Sequence, residues 1–91
     1  MAQVKNLNGT SDNHPPIGYS SWKEWWEKKK GRSFNYCSCK ECTNKAIVGA
    51  HVQKAYDTDR KWYIVPLCTE CNVSKKNMVF EVSDFDLEPV N

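Results

Sequence analysis

The first sixteen residues follow neither the 3.6-residue period of a helix nor the two-residue period of a strand. They include Gly9, Ser11, Asp12, Asn13, Pro15 and Pro16, the composition of a flexible leader (residues 1–16). Order is expected from Ser21-Trp22-Lys23-Glu24, a capping box in which the serine hydroxyl accepts from the Glu24 amide. The helix it opens spans 21–31. Trp22, Trp25 and Trp26 fall on one face at i, i+3 and i+4, Lys28-Lys29-Lys30 suits the negative end of the helix dipole, and Gly31 supplies the stop. Further on, residues 46–52 and Trp62-Tyr63-Ile64-Val65 are apolar and β-branched enough for strands, with a polar loop over 53–61. A short helix is expected to open at Cys68 or Thr69, residues 78–82 read as a returning strand, and 83–91 as an acidic tail.

With 91 residues, 40% hydrophobic and 26% charged, the chain has the composition of one globular domain, placed at 17–82 between leader and tail. A domain this short buries only about 60% of the surface its unfolded chain exposes, so a covalent or metallic cross-link commonly assists folding. No run reaches the roughly 18 to 20 apolar residues of a membrane span, and no secretory leader pattern is visible, so a cytoplasmic location without membrane contact is expected. That compartment disfavours disulfides, as does the odd count of five cysteines.

Cys39-x2-Cys42 and Cys68-x2-Cys71 therefore read as metal ligands. A two-residue gap lets a tight turn aim both sulfurs at one point, and two such turns give the tetrahedral four-thiolate shell of a structural zinc ion. Iron also accepts four thiolates, but no other feature of the chain suggests electron transfer. A closed shell has no open coordination position, so this Zn2+ should fold the protein rather than catalyse. Cys37, one residue before Cys39, reads as a free or half-buried thiol, with ligation in place of one of the four as the alternative.

These residues resemble a known arrangement. Knuckle, hairpin and a helix opened by the second cysteine pair is similar to the treble-clef zinc finger. Cys39-x2-Cys42, Gly49-Ala50-His51-Val52 and Ile64-Val65-Pro66-Leu67-Cys68-x2-Cys71-Asn72 with Lys75 resemble the zinc-supported branch of the HNH endonucleases, over residues 37–77. The resemblance implies an α+β fold: a small zinc-stabilised treble clef with the N-terminal aromatic helix packed on it. It also implies His51 as general base toward a water attacking a phosphodiester, and Asn72 as a ligand of a separate catalytic Mg2+ or Mn2+. Two positions depart from the family. Ala50 stands where a metal-binding acid would be, and Tyr63 near where an asparagine would orient the base. A methyl group offers a hard cation no oxygen, so the nuclease site is incomplete. Asp57 or Asp59 could replace the missing ligand, and His51 reads more readily as a structural or ligand-contacting strand histidine than as a base.

Charge changes the picture of partners. The formal +2 divides into 13 basic and 7 acidic residues over 1–77, hence +6, and four acidic residues with no basic one over 78–91, hence −4. Four thiolates around one divalent ion bring the holo-protein to about zero. Any contact with DNA or RNA must then use a local face, for which Lys28, Lys29, Lys30, Arg32, Lys75 and Lys76 are the candidates. The other reading is a zinc-stabilised module that binds a protein through its aromatic helix or tail.

Overall fold

The computed structural model describes residues 1–7, 15–56, 58, 61–75 and 78–90. Within them an antiparallel sheet of β1 (Ala2–Asn6), β2 (Val48–Lys54), β3 (Tyr63–Leu67), β4 (Val79–Val82) and β5 (Glu88–Pro89) is joined by two α-helices, α1 (Trp22–Lys30) and α2 (Thr69–Ser74). The spatial order is β4-β1-β2-β3-β5. The protein is thus a small, sheet-rich α+β structure.

Strands β2 and β3 form the hairpin at its centre, with Val48, Ala50 and Val52 opposite Leu67, Val65 and Tyr63. Because side chains alternate along a strand, these six share one face. They pack with Val4, Phe80, Val82 and Leu87 into the main core, which runs on into Cys37, Cys39 and Cys68. The other face presents Ile64, Gly49 and His51 to α1, where Trp25, Trp26 and Ile64 form a second core.

Helix α1 begins where a hydroxyl can satisfy an orphan amide: Ser21 is extended and its side chain accepts from Glu24 N at 3.1 Å. The Glu24 carboxylate turns to Ser20, accepting from its amide and hydroxyl. Gly31 ends the helix with φ 71°, a left-handed conformation cheap only for glycine, and donates to Glu27 O at 2.9 Å. Trp22 crosses the sheet so closely that a Cβ on Gly49 would lie 3.0 Å from both Trp22 Cβ and Ile64 Cγ2.

Both ends of the chain depart from the sequence expectation. Residues 2–6, expected in a flexible leader, are an inner strand paired to β2 and β4, with Val4 fully buried. Ala2, Val4 and Asn6 face inward in alternation with Gln3 and Lys5, but a short run ending in Asn6 gives little sign of this. Its order comes from two ladders of backbone hydrogen bonds with strands more than 40 residues away. Asn6 is buried because its amide donates to Asn72 O at 3.1 Å.

The acidic segment 83–91 is likewise no free tail over its described residues. A 3-10 turn at Asp84–Asp86 leads into β5, Leu87 enters the core, and Val90 N donates to Trp62 O. Fully buried Trp26 donates its indole N–H to Asp86 O at 2.8 Å, the only kind of hydrogen bond that group can make. No described helix is long and apolar enough to cross a membrane.

Candidate metal centre

All five cysteines are brought to one end of the sheet, and none is in a disulfide. The sulfurs of Cys37, Cys42, Cys68 and Cys71 lie within 4.8 Å of one another. Cys42 and Cys68 are 3.9 Å apart, and Cys42 and Cys71 3.7 Å. A tetrahedron with Zn–S bonds of about 2.3 Å has edges of about 3.8 Å, so the donor set and these spacings are compatible with zinc. The set could hold one metal ion.

Each sulfur owes its place to a local device. Cys68 is the N-cap of α2: its backbone is extended and its sulfur accepts from Cys71 N at 3.3 Å, which sets two ligands on one helical turn. Cys37 and Cys42 stand on the arms of a small loop closed by Cys37 N to Asn44 O and by the Tyr36–Lys45 bridge. Within it, Cys42 N donates to Cys39 O, a turn made possible by Glu41 at φ 65°. Asn44 Nδ2 faces Cys68 Sγ at 3.8 Å, a second donor of the kind that tunes a metal thiolate.

Electrostatics mark the same sulfurs. Burial pushes the Cys37 thiol up to about 12, even though the backbone amides of Cys68 and Cys39 are directed at it. Burial and the neighbouring sulfurs hold Cys71 far above the ordinary thiol value. At Cys68 burial acts upward too, but the Cys71 amide and the Asn44 side chain outweigh it and bring the thiol down to about 7. A divalent cation among the sulfurs overrides these shifts, because a coordinating thiol is deprotonated outright.

Of the four expected ligands, Cys42, Cys68 and Cys71 belong to this set, whereas Cys39 does not and Cys37 takes its place. The physical reason lies in the backbone. Cys39 pairs with Val82 and Lys40 N donates to Glu81 O, so Cys39 is tied to the edge of β4 and buries its thiol in the main core.

The residues expected at a phosphodiesterase site are disposed differently. His51 is buried, its ring edge-to-face with Trp22 at 4.8 Å and with Trp62 at 5.7 Å. Its Nε2 has no hydrogen-bond partner among the described residues, and burial lowers its pKa below the ordinary 6.5. Asn72 hydrogen-bonds through its carbonyl and side-chain oxygens with Asn6, and Ala50 lies in the core. Asp57 and Asp59 fall outside the described residues, as does Lys76.

The proposed cationic face is also partly occupied from within. Arg32 pairs with Asp86 at 2.5 Å and stacks over Trp26, while Lys30 donates to Leu87 O and pairs with Glu88 at 3.3 Å. Lys28 and Lys29 are exposed on α1, and Lys75 caps α2. Sequence reasoning gave no sign of Asn44 beside Cys68 or of Trp62 over His51. Pairing across the hairpin sets Trp62 near His51, and the loop closed by Cys37 N to Asn44 O holds Asn44.

No family model, curated protein or solved structure matches the chain.

Proposed function

We propose that this protein is a zinc-folded binding module with the treble-clef layout of the HNH endonucleases, one that binds nucleic acid without cutting it. The single observation that carries the non-hydrolytic reading is the enclosure of His51. A general base must reach a water held near its substrate, and here the ring is enclosed by two indoles with Ala50 as its neighbour in sequence. Four thiolates leave no coordination position for a substrate either.

The treble-clef reading is supported by the order of parts: the cysteine loop before β2, the β2–β3 hairpin, and α2 opened by Cys68. Zinc is favoured by the four-sulfur donor set, and a reducing compartment such as the cytoplasm suits five unpaired thiols. Nucleic-acid association rests on exposed Lys28 and Lys29 with Lys75 as the remaining cations. A protein partner is the second reading, favoured by exposed apolar side chains at Tyr36, Ile47 and Val73 and by the internal neutralisation of Lys30 and Arg32.

Purified protein should carry one equivalent of zinc, lose its cooperative unfolding transition in a chelator, and leave plasmid DNA intact with added magnesium or manganese. Protein that nicks DNA, with the activity lost in His51→Ala, would overturn the non-hydrolytic reading. Affinity for DNA or RNA should fall steeply with salt, whereas absent or salt-independent binding would favour the protein partner.

A further inference from the structure

Five thiols crowd a site that takes four, which leaves open which of them is spare. This question rests on the zinc reading proposed above. Cys68 fixes the answer geometrically: its sulfur is 3.9 Å from that of Cys42 and interacts with those of Cys71 and Cys37. Cys39 has sulfur neighbours in Cys71 and Cys37 and feels the charge of Cys42, but it lies outside the set that is mutually within 4.8 Å. A tetrahedral site needs all six sulfur–sulfur edges to be short at once. The set containing Cys37 meets that condition without moving the backbone. Bringing Cys39 toward Cys68 would pull against its bridge to Val82 and the Lys40 N to Glu81 O hydrogen bond.

We propose that Cys37, Cys42, Cys68 and Cys71 are the metal ligands, a C-x4-C loop facing a C-x2-C helix cap, and that Cys39 is a thiol kept beside the metal but outside its shell. Cys39 lines a cleft of about 300 Å3 together with Gln3, Lys40, Lys75, Phe80 and Glu81. The spare thiol lines this cleft but is itself buried, whereas the ligands Cys42 and Cys71 are half-buried.

The decisive variant is Cys39→Ser, which leaves four cysteines. Cobalt(II) bound to it should give the intense visible and thiolate charge-transfer bands of a tetrahedral four-sulfur site, unchanged from wild type, and zinc should stay at one equivalent. Cys37→Ser should lose the four-sulfur spectrum and bind zinc at least tenfold more weakly. Loss of the four-sulfur spectrum in Cys39→Ser, or its retention in Cys37→Ser, overturns the assignment. Wild-type protein that binds neither metal removes the zinc reading itself, and this proposal with it. If either variant fails to fold, wild type loaded with cadmium-113 serves in its place, read by NMR correlations between the metal and cysteine β-protons. Cys37, Cys42, Cys68 and Cys71 should couple to the metal, and coupling from Cys39 in place of Cys37 overturns the proposal.

Discussion

His51 sits with one ring nitrogen enclosed by Trp22 and Trp62 and lacking a partner among the described residues. Burial favours the neutral imidazole, so the folded-state pKa lies below the ordinary 6.5. Below about pH 6.5 the unfolded chain binds more protons at this residue than the folded one, and its contribution to stability falls as pH falls. His51→Phe removes that linkage. Urea denaturation at pH 5.5 and 7.5 should show wild type losing more stability on acidification than the variant, since acid loss of the thiolates is common to both. An equal loss in both proteins would show that the histidine is not shielded as its contacts require. The resemblance offered a general base at position 51 and the strand context a packed histidine; the rings around it, one from α1 and one just before β3, favour packing.

Among the elements, α1 was the easiest to read, because its signals are local. Ser21 and Gly31 flank the helix, and the three tryptophans follow its period. How closely the helix approaches the sheet was not legible. Gly49 permits that approach: a methyl group there would meet Trp22 and Ile64 at 3.0 Å, one contact being with a Cβ that cannot rotate away. Gly49→Ala should therefore lower unfolding free energy by about 1–3 kcal/mol, the usual cost of overpacking, and redden tryptophan emission as Trp22 is displaced. Strand β1 was missed for the opposite reason. Its stability comes from β2 and β4, so the decisive signal lies outside its own residues.

For the whole molecule, the acidic segment closes the fold. Ion pairs of Lys30 and Arg32 with Glu88 and Asp86 are partly exposed and contribute at most about 1 kcal/mol each. Burial of Leu87 and the Trp26 indole hydrogen bond to Asp86 O contribute more. Truncation after Val82 should lower Tm by more than about 8 °C, corresponding to about 2 kcal/mol in a domain of this size, and 1 M salt should reproduce only a small part of that loss. A truncated protein that melts like the full chain would mean the segment does not hold α1. The same docking consumes two of the cations expected to face nucleic acid, so charge measured along the sequence overstates the charge available to a partner.

The sequence by itself determined the elements whose causes are local: a capped aromatic helix, two β-prone segments, and cysteines in numbers and spacings that suit a thiolate metal site. It also puts at position 50 an alanine, which offers a metal no ligand atom. Tertiary structure decided which sulfurs meet. Spacing along the chain favours Cys39 over Cys37, and what separates them in space is a backbone bridge from Cys39 to Val82, 43 positions further along the chain. It decided equally that the two ends of the chain belong to the sheet, because hydrogen-bond ladders and burial are properties of neighbours in space, which a sequence lists only in order.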